Sequence, residues 1–286
     1  MFPSTFEYHR ASSVKEALSF LSQFGDDAKI LSGGHSLIPM MKLRLAQPAH
    51  LIDIGPVREL AQIREEGGRV VIGGLATHHA VEASAVVRGK LAMLAECAAQ
   101  IGDIQVRNRG TIGGSLAHAD PAADYPAAVL ALEGEITIEG SGGARKVNAA
   151  DFFLDLMTTA VKPGEILTQV SFAPLAQGAG TVYLKHRHPA SGFATVGVAA
   201  IVTMKGANFD KVRVGITGLG SKAFRATGVE SVLTGKGAAA IVEAASHAAD
   251  GIDATSDSYA SADFRAELVR VYTRRALEQA ASRAKA

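Results

Sequence analysis

The sequence predicts an α+β protein of two domains, and three observations carry that prediction. Short strand-like runs alternate with amphipathic helical stretches from the start to about residue 177. Two longer β-rich runs, 193–204 and 212–219, surround the turn Gly206-Ala207-Asn208, as a long antiparallel hairpin would. Three Ala-rich helical stretches, 225–233, 238–249 and 262–283, close the chain. A length of 286 residues suits about two domains with a real core. The texture changes after Pro174, so a boundary is expected between Gln177 and Gly180, giving domains 1–177 and 178–286.

Ser13 can cap the first helix, with Glu16 at the spacing of a capping box. Val14, Ala17, Leu18 and Leu21 repeat at helical spacing, and Gly25 suits the position past the end. Residues 28–31 form a short strand that runs into Ser32-Gly33-Gly34-His35-Ser36 and a helix through Met40, Met41 and Leu43. Residues 51–54 and 70–74 read as further strands, and 86–101 as mostly helical. From Gly102 to Asp124 the chain is rich in Gly, Asn and Asp, with little regular period. A loop that long inside a compact domain is usually functional or disordered. It ends at Asp120-Pro121, where Asp suits an N-cap and Pro the first helical position. Residues 136–138 and 145–147 flank a Gly-rich turn as a hairpin, and 166–172 form another strand.

Charge and cysteine content exclude several function classes. Lys and Arg number 29 against 28 Asp and Glu, which argues against phosphate-driven nucleic-acid binding. The single cysteine, Cys97, rules out an internal disulfide framework and a Cys-based iron–sulfur or zinc site. Its Ala-rich surroundings suit a small buried core residue. The start, Met1-Phe2-Pro3-Ser4, lacks the basic and apolar regions of a signal peptide. No apolar run approaches the ~20 residues of a membrane span. A soluble cytoplasmic protein is expected, with any peripheral membrane attachment left to a partner.

Two glycine loops carry the functional signal: Gly33-Gly34-His35-Ser36 and Thr111-Ile112-Gly113-Gly114-Ser115. Glycine allows positive φ and close approach of a ligand to the backbone. Successive amides and a helix N-terminus then make an anion-binding concavity suited to a diphosphate. A branched side chain at Gly114 is expected to enter the phosphate path and to disfavour positive φ. Neither a P-loop lysine sequence nor a full Gly-x-Gly-x-x-Gly fingerprint is present. Gly218-Leu219-Gly220-Ser221 lacks the third glycine and reads as a turn. The 30 glycines also allow the plainer reading, in which each Gly-Gly pair is only a turn.

The stretches 28–44 and 105–121, in that order and about seventy-five residues apart, resemble the two FAD loops of the molybdenum hydroxylase medium subunits. This is the flavoprotein family of carbon monoxide dehydrogenase and xanthine dehydrogenase; the segment Ile72-Gly73-Gly74-Leu75-Ala76-Thr77-His78 is also family-like. The resemblance covers nearly the whole chain. It implies a FAD-binding fold of the vanillyl-alcohol oxidase (PCMH) type, with subdomains about 1–56 and 57–177. A C-terminal domain with a small antiparallel sheet and helices closes over the flavin.

By this resemblance, Lys29, Leu31, Ser32, Gly33, Gly34, His35, Ser36, Leu37, Ala76 and Thr77 fall among the FAD-binding residues. So do Thr111, Ile112, Gly113, Gly114, Ser115 and Ala117. Asp124 matches an aspartate near the ribityl or diphosphate, and Ile166 and Leu167 a segment beside flavin and adenine. Lys185 matches a lysine near the isoalloxazine, and Phe193 an aromatic that covers one flavin face. Ser115 departs from relatives that often carry Asp or Asn.

The implied activity is electron transfer from 2Fe-2S clusters of a small subunit through FAD to an external acceptor: quinone, NAD or oxygen. Substrate oxidation belongs to a large molybdenum-cofactor subunit, in an assembly expected to be a dimer of heterotrimers (a heterohexamer). No catalytic residue and no metal ligand is assigned to this chain. Two alternatives are a flavin- or nucleotide-binding module without electron transfer and a stand-alone flavin oxidase. The oxidase needs its own base, for which His78, His79, His118, His186 and His188 are candidates. His186 and His188 have metal-like spacing on one strand face, although exposed polar residues are the favoured reading. Arg107 and Arg109 could reach phosphate, serve a subunit interface or anchor the loop.

Overall fold

The computed structural model describes residues 1–285. Strands β1 (Glu7–Arg10), β2 (Ala28–Leu31) and β3 (His50–Asp53) form a parallel sheet ordered β1-β3-β2. The helix Val14–Phe24 joins β1 to β2 and buries Val14, Ala17 and Leu21. Ser13 caps it, its hydroxyl accepting from the Glu16 N–H at 3.2 Å. The reciprocal half of the capping box is displaced by one residue. Ser12 presents an amide and a hydroxyl together, and both donate to the Glu16 carboxylate at 2.7 Å.

Next in the chain are β4 (Ile63–Glu66), β5 (Arg69–Gly73), β6 (Glu135–Gly140) and β7 (Gly143–Asn148). A small hairpin, β8 (Phe153–Asp155) with β9 (Thr158–Thr159), precedes β10 (Ile166–Phe172). The second sheet is antiparallel and ordered β4-β5-β10-β6-β7. Strand β4 escaped the sequence reading because an edge strand needs no apolar alternation.

The stretch 86–101 is mostly helical, as expected, in two helices, Ala85–Lys90 and Ala92–Ala99, broken at Leu91 with φ −137°. Between that stretch and β6 the expectations need correction. The segment 102–124 contains helices Ile104–Arg107 and Ile112–His118, capped by Asp103 and Thr111. Its glycine content hid helices of one or two turns, held by caps and by the buried Ile112 and Leu116. The helix expected from Pro121 starts at Tyr125 instead. The Asp120 carboxylate accepts from the Ala122 N–H at 2.8 Å and makes a turn there.

Strands β11 (Gly180–Arg187), β12 (Ala194–Lys205), β13 (Asn208–Thr217) and β14 (Phe224–Arg225) form the third, antiparallel sheet in sequence order. The expected hairpin is β12–β13, closed by Gly206 and Ala207 between paired Lys205 and Asn208. Gly218 turns the chain after β13 with φ 87°. The long helix Ala262–Arg283 packs on β11 and β12. Its Arg265, 7% exposed, donates to the carbonyls of Thr195 and Gly218 at 2.7 Å each.

All seven residues of the helix Tyr125–Ala131 are buried, and it packs against β12 and β13. A Cβ on Gly215 of β13 would sit 2.0 Å from the Ala127 carbonyl oxygen, so helix and strand meet backbone to backbone. One apolar cluster runs from Ile72 and Leu94 through this helix to Tyr183 and Ile201 of the third sheet. Among the described residues no helix is long and apolar enough to cross a membrane.

Candidate cofactor site

The sheets bring the two glycine loops into contact. The first follows β2; the second leads into the helix Ile112–His118. Ser32 Oγ lies 2.8 Å from Thr111 Oγ1. A Cβ on Gly33 would stand 2.2 Å from the Arg109 carbonyl oxygen, so only glycine lets these loops close. Behind the second loop runs the segment after β5. The Ile112 N–H donates to Ala76 O at 3.0 Å, Gly113 N–H to Gly74 O at 2.9 Å, and His78 N–H to Gly110 O at 2.9 Å.

The loops differ in what they leave free. In the second, the Ile112, Gly113 and Ser115 amides donate to protein carbonyls, and Gly114 N–H donates to its cap, Thr111 Oγ1. In the first, the amides of Gly33, Gly34, His35 and Ser36 have no protein acceptor among the described residues. Gly34 takes φ 77°, whereas Gly114 lies in the helix, which corrects the expectation of positive φ there. The anion-binding donors of this site therefore belong mainly to the first loop.

These elements wall a cavity of about 740 Å³, within the usual range for cofactor pockets. Lys29 and residues 32–37 line it from the first loop; Thr111, Gly113, Gly114, Ser115 and Ala117 line it from the second. Asp124, Ile166, Leu167 and Phe193 also reach it. Five expected residues do not. Leu31 packs behind Gly34, Ala76 and Ile112 are core residues bonded to each other, Thr77 caps the helix His78–Ala83, and Lys185 lies behind Asp124. They support the lining rather than form it.

Some lining residues escaped the sequence reading. Thr158 and Thr159 of β9, with Val161 through Glu165 between β9 and β10, form one wall, and the turn dipeptide Pro163-Gly164 is the sequence signal for it. His78, by sequence only a candidate base, lines the cavity while 5% exposed, and its Nδ1 has no hydrogen-bond partner among the described residues. Burial, helped by the nearby His35 and Arg107, pushes its pKa down to about 4, so it is neutral near pH 7. Arg107 is a loop anchor, bonded to Glu82 at 3.0 Å and to Ile101 O at 3.2 Å. The strand carrying His186 ends at Arg187, and His188 lies just past it, accepting from the Ala190 and Ser191 amides; both imidazoles lie against the Tyr259 ring.

Asp124 joins the cavity wall to the third sheet. Its carboxylate accepts from Tyr183 Oη at 2.6 Å and from Lys185 Nζ at 2.9 Å, and Lys185 also donates to Gln100 O at 3.1 Å. Burial pushes the Asp124 carboxyl up, and the Lys185 ammonium and Tyr183 hydroxyl pull it back. Cys97 is fully buried, and that burial pushes its thiol well up. Cys97→Ala is therefore expected to keep full flavin content, at a stability cost of about 1 kcal/mol for the lost atom. Flavin loss in a folded variant, read by visible absorbance, would contradict the core role.

Free amides, a cavity of the right size and an unpartnered buried imidazole on its wall fit a large anionic cofactor. Comparison with known proteins agrees. The FAD binding domain in molybdopterin dehydrogenase matches residues 4–175, and the CO dehydrogenase flavoprotein C-terminal domain matches residues 182–280. The carbon monoxide dehydrogenase medium chain of Hydrogenophaga pseudoflava is 42% identical over 99% of both chains. Subunit alpha of the 6-hydroxypseudooxynicotine dehydrogenase complex of Paenarthrobacter nicotinovorans is 36% identical, covering 100% of this chain and 97% of that one. The solved structure of the Hydrogenophaga pseudoflava carbon monoxide dehydrogenase lacking the Mo-pyranopterin moiety superposes with a TM-score of 0.97 at 41% identity over both whole chains.

Fold and cavity thus define a FAD-binding subunit of an oxidoreductase. The chain belongs to the family of FAD-bearing medium subunits of molybdenum hydroxylases, such as those of the carbon monoxide dehydrogenases.

Proposed function

We propose that this chain relays electrons through FAD from 2Fe-2S clusters of a partner small subunit to an external acceptor. A large molybdenum-cofactor subunit oxidises the substrate, and the whole is a dimer of heterotrimers. The observation that carries the reading is the free-amide loop 33–36 closing on the second glycine loop beside a large cavity. The single cysteine supports it, because the clusters then need another chain.

The amides of residues 33–36, with the hydroxyls of Ser36 and Ser115, hold the diphosphate. Asp124, Ile166 and Leu167 line the region of the ribityl chain and rings, and Phe193 covers one flavin face. Lys185 acts through Asp124, not by touching the cofactor. FAD supplies the redox chemistry when bound; this chain binds it, orients it and excludes water. The FAD-binding domain is 1–177, with subdomains 1–56 and 57–177, and 178–286 is the C-terminal domain. The separate sheets at 7–53 and 63–172 and the family matches on either side of 177 support this division.

Carbon monoxide is the first substrate to test, given the Hydrogenophaga relative, with organic substrates the competing outcome, given the Paenarthrobacter one. The test uses the assembled, anaerobic complex. Reduction of the small subunit is expected to bleach stoichiometric flavin absorbance, and an added acceptor (quinone, NAD or oxygen in turn) to restore it. An assembled complex without FAD rejects the reading. FAD that stays oxidised beside reduced clusters replaces it with a binding module that transfers no electrons.

A further inference from the structure

Away from the cavity, three side chains of the first sheet meet at one point. Glu7 and His9 stand two residues apart on β1 and share a face. His50 opens β3 and is the register partner of Glu7. His9 Nε2 lies 3.1 Å from His50 Nδ1. Glu7 Oε2 lies 3.4 Å from His50 Nδ1 and 3.8 Å from His9 Nε2. Three potential ligand atoms therefore form a compact triangle. A tetrahedral zinc ion with bonds of about 2.0–2.1 Å has ligand-to-ligand edges of about 3.3–3.4 Å. The observed edges bracket that length.

The imidazoles are also held in place. Phe24 stacks on His50 at 3.8 Å and 12°, and on His9 at 4.6 Å and 29°. The histidine side chains are 19% and 20% exposed, while that of Glu7 is 72% exposed. Stacking thus fixes the ring planes, and the carboxylate can swing from solvent to complete the set.

We propose that Glu7, His9 and His50 form a surface site for one divalent transition ion of the zinc class, with water at the fourth position. Two imidazoles and one carboxylate suit zinc, nickel or copper rather than the hard cations magnesium and calcium. The ion ties the first strand to the third and stabilises the folded chain by mass action. None of the three residues lines the cofactor cavity, so this site stands or falls apart from the flavin reading.

The test takes the FAD-loaded full chain, prepared without a histidine tag or metal-chelate column and stripped with a chelator. Zinc is titrated by equilibrium dialysis, and cobalt by its visible d–d absorbance. One saturable equivalent and a zinc-dependent rise in melting temperature are expected. Glu7→Gln and His50→Gln should each weaken binding by more than the roughly 10- to 100-fold typical of outer-shell losses, with FAD content unchanged. Should the histidine variant fail to fold, the exposed Glu7→Gln still decides. Absence of saturable zinc binding below about 1 mM overturns the proposal and leaves a hydrogen-bonded histidine pair. So does binding that survives these substitutions.

Discussion

Gly33→Ala is expected to strip most FAD from the chain and to lower its melting temperature. The added Cβ would fall 2.2 Å from the Arg109 carbonyl oxygen and 2.8 Å from Gly110 Cα. Both obstacles are backbone, so no side-chain rotation relieves them. The loops must part, which pulls Ser32 from Thr111 and displaces the free amides of residues 33–36. Overpacking of this kind costs about 1–3 kcal/mol, and the displaced donors should weaken cofactor binding further. Gly89→Ala is the control: a Cβ there meets nothing within 4 Å, in a helix that alanine favours. The flavin-to-protein ratio after gel filtration, with a thermal melt, reads both effects. A folded Gly33→Ala protein with full FAD would show that the loops do not need this closure.

The second large effect is expected from Lys185→Met. The Lys185 and Asp124 side chains are 1% and 4% exposed, so the substitution leaves a buried carboxylate held only by Tyr183. Breaking a buried pair from one side costs about 3–5 kcal/mol. The loss should depend on pH in a defined direction. Removing the ammonium lets burial push the Asp124 carboxyl further above its unfolded value of about 3.9. The folded state then keeps a proton that the unfolded state releases between the two values. That stability is complete below the unfolded value and is lost as pH rises through the folded one. The variant should therefore be closer to the parent near about pH 5 than near about pH 8. Urea melts at both pH values check this, and an equal deficit at each would rule out protonation of Asp124.

Much of this was legible in the sequence where one local signal dominates. Ser13 and Gly25 bound the first helix, and residues 28–31 and 166–172 are strands as read. Positions governed by tertiary context were harder. In the helix Ile112–His118, Gly113, one of the glycines that prompt a loop reading, is there because Gly74 backbone lies 2.6 Å from a Cβ placed on it. Strand β11 was legible only at its His186 end; Gly180 to Leu184 was not, because the polar close Lys185-His186-Arg187 carries little β signal. Spacing located the two glycine loops, but not which of them keeps its amides free. That depends on the carbonyls of Gly74 and Ala76, far from the loop in sequence and paired with it only once the sheet has formed.

The meeting of Ala127 and Gly215 bears on how far the chain can be treated as modular. A helix from one half rests directly on a strand of the other, with no side chain as spacer. Grafting either half onto a relative would demand a glycine and a helix path that match to within an ångström. Expressed alone, each half would bare a dry, apolar floor and tend to aggregate. Shuffling among these flavoproteins should therefore succeed with whole chains and fail at the seam.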